Sequence, residues 1–214
     1  MKSLLQSLNT SQMMRRQFSS VQLTLRTCAL ALVCWTNLLF AQPTGLQPGN
    51  IAPDFRLTSI SGESYSLYAQ KGKKGFIIVF ISTQCPVSNA YNARFIKLAE
   101  LARQSLMEFV AINPNATESF DEVCIHARER EFTFPVLKDG ESRVSDIFGA
   151  KVTPEAFLLD ANFKVIYRGR IDDNQREERV VQKDLEEAIA AYLAGVPVPT
   201  SVTTARGCSI KRAP

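Results

Sequence analysis

The run Phe76-Ile-Ile-Val-Phe-Ile81 is the feature that most restricts the fold. It is continuously apolar and rich in β-branched and aromatic side chains. That pattern suits a strand buried on both faces, and such strands belong to sheets covered by helices on either side. The residues after it narrow the choice. Ser82-Thr-Gln-Cys85 is a polar turn, and Pro86 then stands where a helix tolerates proline, in its first turn. Tyr91, Phe95, Leu98 and Ala102 recur at helical spacing, and Phe109 to Ile112 forms a second buried run, stopped by Asn113-Pro-Asn115. Strand, helix, strand requires a parallel pair joined by a crossover.

The rest of the chain builds around that unit. Ile51-Ala-Pro-Asp-Phe-Arg-Leu57 and Tyr65 to Leu67, separated by Gly62, predict a hairpin. Ser119 to Glu131 reads as a helix and Phe132 to Leu137 as extended. Asp139-Gly140 turns into a short helix ending near Gly149. Glu155 to Asp160 and Lys164 to Arg168 flank an Asp-Ala-Asn turn and predict a second hairpin. Val180, Leu185, Ile189 and Tyr192 mark a last helix, closed by Gly195 and Pro197. The expected fold is α/β, a mixed sheet with helices on both faces and an N-terminal hairpin extension. Its domain spans 51–195, after a Pro/Gly linker over 42–50. A polar tail over 196–214 is expected to be mobile until something pins it.

Four of the 25 basic residues, Lys2, Arg15, Arg16 and Arg26, lie in residues 1–41, which hold no acid. Without them the chain is formally neutral. No basic stripe remains for nucleic acid. The basic start leads into Cys28-Ala-Leu-Ala-Leu-Val-Cys-Trp35 and Leu38-Leu-Phe-Ala41, the pattern of a secretory signal cut near Ala41. The expected product is exported, periplasmic or secreted, with membrane contact only if the signal stays uncleaved. Translation from Met13 or Met14 would give a signal of ordinary length. Past residue 41, three of the five cysteines remain: Cys85, Cys124 and Cys208. An odd number in an oxidising compartment suits redox chemistry better than a structural staple.

Cys85 carries the chemical argument. Placed between a buried strand and a helix start, its sulfur meets the positive helix end and unpaired backbone N–H groups. Both favour the thiolate, which is the nucleophile. Cys208, in Gly207-Cys-Ser-Ile210, is read as a resolving or partner-linking thiol, against the alternative of an incidental exposed one. Cys124, on a helix face with Phe120 and Ala127, is read as a small buried hydrophobe. Arg168, Arg170, Asp172 and Asp173 are read as a solvated charged loop, with a place on the site rim as the alternative. Asn115-Ala-Thr117 fits a glycosylation sequon.

Four stretches together resemble the thioredoxin-like superfamily, and within it the peroxiredoxin-like redoxins of the alkyl hydroperoxide reductase/thiol-specific antioxidant group. They are Ala52-Pro-Asp-Phe-Arg-Leu57, Cys85-Pro86, Val152 to Asp160, and Val165 to Asp173. The resemblance implies that Pro154 is cis and faces Cys85, with the backbone of Thr153 pairing an extended substrate. Thr153, Pro154, Pro86 and Ser82 are thereby expected to bind substrate, and Cys85 and Cys208 to be catalytic. The departures shape the function. Thioredoxins carry a second cysteine where this chain has Ser88, and a buried acid where it has Val79. Peroxiredoxins carry Pro, then Thr or Ser, and later Arg where this chain has Ile78, Ser82 and a residue near Pro154, so only the hydroxyl matches. Copper-delivery relatives need a Cys pair plus His; Asn89 stands where the second Cys would fall, and His126 is the only histidine. No metal and no cofactor are expected. The implied function is thiol–disulfide exchange on protein thiols or disulfides, renewed by an external reductant. A thiol-dependent peroxidase and a non-catalytic binding module are the alternatives.

Overall fold

The structure is a computed structural model and describes residues 45–213. The leader expected over 1–41 lies outside those residues, as does the start of the linker. Strand β1 (Arg56–Ser59) turns back into β2 (Ser64–Ser66), the expected hairpin. The apolar run forms β3 (Gly75–Phe80), every residue buried. Next come α1 (Pro86–Asn89), α2 (Asn92–Gln104), β4 (Glu108–Asn113), α3 (Phe120–Glu129), β5 (Val136–Lys138) and α4 (Arg143–Phe148). A short β6 (Val152–Thr153) precedes the hairpin of β7 (Glu155–Asp160) and β8 (Val165–Gly169), then α5 (Asp184–Leu193) and, in the tail, β9 (Cys208–Ser209).

The sheet runs β2-β1-β5-β4-β3-β7-β8. β3, β4 and β5 are parallel, while β1, β7 and β8 run antiparallel to their neighbours. Side chains alternate across it with the strand period of two. Ile77, Val79, Phe109, Ala111, Ala156 and Leu158 face one core, with α2, α3 and α5. Phe76, Ile78, Phe80, Val110, Ile112, Phe157 and Leu159 face the other, with α4 and the N-terminal segment. The expected mixed sheet with helices on both faces is what forms.

Three elements differ from expectation: the last helix starts only at Asp184 and leaves Val180 outside it, and two others are rearranged. The helix after Pro86 is broken in two. The Tyr91 amide bonds back to the Ser88 carbonyl in a tight turn, and Arg94 Nη2 occupies the Ala90 carbonyl at 3.2 Å. The extended stretch over 132–137 contributes only β5. Phe132 stacks on Phe134 at 4.7 Å, and Pro135 offers the ladder no N–H.

The tail is pinned. Arg168 on β8 donates its backbone N–H to the Ser201 carbonyl and accepts from the Thr203 amide, each at 3.0 Å. The Thr203 hydroxyl accepts from the Arg170 amide and lies 2.6 Å from the Tyr167 hydroxyl. Gly169 is required there, because a Cβ would fall 2.2 Å from Thr203 Oγ1. Further on, β9 pairs antiparallel with β6, setting Cys208 opposite Thr153 and Ser209 opposite Val152.

Candidate active site

The register brings three loops to one end of the central strands. Phe80 pairs with Ile112 on one side and with Glu155 on the other, and Asn113 pairs with Lys138. The turn after β3, the loop after β4 and the Thr153-Pro154 corner before β7 therefore meet. Cys85 is the N-cap of α1 in extended conformation, and its sulfur accepts from the Ser88 amide at 3.3 Å. It is 3% exposed, and its sulfur lies 3.4 Å from the Thr153 carbonyl oxygen. The Thr153-Pro154 bond is cis, as the resemblance implied. Cys208 comes in from the tail with its Cα 5.9 Å from that of Cys85, and the two sulfurs are joined in a disulfide.

Behind the Cys85 turn sits an acid that sequence reasoning missed. Glu118 is 1% exposed and accepts from Ser82 Oγ, Thr83 N, Thr83 Oγ1, Asn113 Nδ2 and Asn115 Nδ2, all within 2.9 Å. Burial pushes its pKa up, but the hydrogen bonds outweigh that and hold it below the usual carboxylate range. Lys138, whose pKa burial pushes down, donates to Asn113 Oδ1 and the Asn115 carbonyl beside it. Val79 has no polar group to offer the site; the acid arrives instead from the loop after β4. The available signal was a polar Asn-Pro-Asn-Ala-Thr-Glu stretch directly after a buried strand.

Several expectations change. Ser82 is buried, donates to Glu118 and accepts from the Cys85 amide at 3.0 Å, so its hydroxyl shapes the Cys85 turn. Pro86 is exposed beside Cys85, while Thr153 and Pro154 are buried, with the tail across Thr153. Asn115 is 3% exposed with its amide nitrogen on Glu118, which leaves the sequon closed to glycan in the folded chain. The charged stretch is anchored, not solvated. Arg168 pairs with Glu155 at 2.8 Å, Arg170 with Asp184 at 2.7 Å, and buried Asp172 with Arg94 at 2.5 Å. Asp172 also accepts from the Tyr91 hydroxyl, whose pKa is pushed up to about 12, mainly by burial. Together with Val87, Tyr91, Pro154 and Arg206, Arg170 and Asp172 line a groove of about 310 Å³ next to the disulfide. Cys124 is half-buried, not fully buried as expected; Val123 and Ala127 take the core face of α3. His126 Nε2 lies 2.8 Å from Asn89 Oδ1. Among the described residues, no group of three or more His, Cys, Asp or Glu is placed to hold a metal ion.

The tail is held on two sides. The Ile210 amide donates to the Lys151 carbonyl, while Lys211 exchanges bonds with Asn115 Oδ1 and the Ala116 amide. Arg212 reaches Asp146 and the Ala150 carbonyl. Ile210 is 6% exposed in the core with Phe148 and Ala150.

Comparison with known proteins places the arrangement. Residues 48–168 match the AhpC/TSA family. The chain belongs to that family. The thiol-disulfide oxidoreductase ResA of Geobacillus thermodenitrificans is 28% identical over 146 residues, 68% of this chain and 82% of that protein. A crystal structure of an uncharacterized conserved protein from Geobacillus kaustophilus superposes with a TM-score of 0.74 at 31% identity, over 79% of this chain and 94% of that one. A protein of Sinorhizobium meliloti 1021 gives 0.73 at 30%, over 79% and 96%. This AhpC/TSA protein is thus a thioredoxin-like redoxin, with its cysteine pair divided between the turn after β3 and the tail.

Proposed function

We propose that Cys85 and Cys208 are the working pair of a thiol–disulfide oxidoreductase that acts outside the cytoplasm on protein thiols and disulfides. The observation that carries this reading is the pairing of β9 with β6, which sets two cysteines 123 residues apart within disulfide reach at the cis-proline corner. In the reduced protein the Cys85 thiolate attacks one sulfur of a substrate disulfide, and the other substrate sulfur leaves as a thiolate. The Cys208 thiolate then attacks the Cys85 sulfur, frees the second substrate thiolate and closes the Cys85–Cys208 bond. The substrate gains two electrons and the protein loses two. An external dithiol restores it. Ser88, which cannot resolve an adduct, instead holds the Cys85 sulfur through its amide.

The acid-free basic leader supports export, and the domain over 51–195 with its 196–214 tail is the unit that acts. Among the described residues, no helix is long and apolar enough to cross a membrane. A binding module without turnover would leave the cysteine pairing unexplained. The test is a pair of variants assayed on a disulfide-bonded protein substrate. Cys85→Ser should abolish exchange, and Cys208→Ser should leave a mixed disulfide trapped on Cys85. Full exchange by Cys85→Ser would end this reading.

A further inference from the structure

The channel that receives β9 is a built strand-addition site. Its walls are Lys151 to Pro154 on one side and Asn115-Ala116 on the other, and each wall bonds the backbone of the strand between them. The strand's side chains alternate as a strand's must. Cys208 and Ile210 point inward, one onto Cys85 and the other into the core, while Ser209 and Lys211 are exposed. Just before the cysteine there is no room for a side chain: a Cβ on Gly207 would lie 2.0 Å from the Thr153 carbonyl oxygen, a backbone atom.

We propose that this channel, beside the Thr153 backbone expected above to pair an extended substrate, selects among external partner segments for glycine just before the reacting cysteine and a branched aliphatic residue two after it. The tail is then the chain's own copy of that segment. Main-chain bonds supply affinity in such sites, and alternate side-chain pockets supply selectivity. The inference rests on Cys85 being the nucleophile proposed above. It adds an order of events. A partner disulfide docks with the tail out of the channel. Cys85 bonds the partner cysteine and the partner's other sulfur leaves as a thiolate. Cys208 then attacks the Cys85 sulfur as β9 re-enters, so that closing the internal disulfide and expelling the partner segment are one event. An external dithiol reduces the closed form.

The test uses the reduced full chain carrying Cys208→Ser, so that adducts on Cys85 persist. The probe is the peptide Arg-Gly-Cys-Ser-Ile-Lys-Arg with its cysteine bonded to a chromogenic aromatic thiol. Companion peptides carry Val for Gly, or Asp for Ile. Rates are read from the released chromophore, and the Cys85–peptide adduct is counted by mass spectrometry. The parent peptide should react about tenfold faster than either companion, a difference of about 1.4 kcal/mol in docking. A second variant, Cys208→Ser with Gly207→Val, evicts the tail and should take the parent peptide several-fold faster still. Equal rates for all three peptides, or no gain on evicting the tail, would overturn the proposal while leaving exchange at Cys85 intact. If a small aromatic disulfide without peptide also fails to modify Cys85, the functional reading itself is what fails.

Discussion

Replacing Glu118 with Gln keeps the shape of the side chain and removes its charge. One of its two oxygens becomes an NH₂ group, which then faces either Ser82 Oγ and Asn115 Nδ2 or the Thr83 amide, Thr83 Oγ1 and Asn113 Nδ2. Each buried donor left unmatched costs about 1–3 kcal/mol. Glu118→Gln should therefore lower stability by at least about 2 kcal/mol in urea unfolding, and slow exchange at Cys85 by about tenfold through the loosened turn. Unchanged rates in a destabilised variant would reduce Glu118 to a stability residue. Cys124 sets a contrast. Burial and nearby Asp121 push its thiol pKa up, whereas Cys85 has the Ser88 amide on its sulfur. After mild reduction, iodoacetamide at neutral pH should label Cys85 well before Cys124, as read by peptide mapping. Cys85 was legible because strand, polar turn and Pro86 stand together in sequence. Glu118 was not, since its meaning depends on Ser82 and Thr83 lying across the sheet edge, far from it along the chain.

At the level of elements, β3, β4 and β7 were readable because burial on both faces leaves continuous apolar runs. The break between α1 and α2 was not. Arg94 takes up the Ala90 carbonyl while held by Asp172 and by the carbonyls of Asn174 and Gln175, residues about 80 positions away. No local pattern announces that. The Arg94–Asp172 pair is almost wholly buried, so removing one partner strands a charge. Asp172→Ala should cost about 3–5 kcal/mol in denaturant unfolding, whereas breaking the exposed Arg103–Glu100 pair should be close to neutral. A small loss for Asp172→Ala would mean that water reaches Arg94. The tail strand was equally hidden. Gly207-Cys-Ser-Ile210 has too few residues to read as a strand, and its partner, β6, is just as short.

For the molecule as a whole, acid should be the weak side. His126 has its pKa held below 6.5, first by burial and then by Arg130, so its neutral form belongs to the fold. That contribution is complete above pH 6.5 and fades as pH falls through the lowered value. Glu118, held below 4.5, adds a second contribution that fades lower still, while Asp139, pushed up by burial, opposes it. Melting temperature should be flat near neutrality, decline below pH 6.5 and fall again below 4.5. Glu118→Gln should keep the upper decline and flatten part of the lower. A melting temperature independent of pH down to the lower limit would refute the assignment. The attachment of Thr203 to β8 has a further consequence, for kinetic order. Cys208 lies only a few residues beyond that attachment, and so short a stretch of extended chain reaches roughly 17 Å. When β9 leaves its channel, the resolving thiol stays on a leash, at a local concentration of order millimolar. Closure of the disulfide is then a unimolecular event. Its rate should not change when the protein is diluted a hundredfold, and a free thiol must approach millimolar levels before it can intercept the adduct on Cys85.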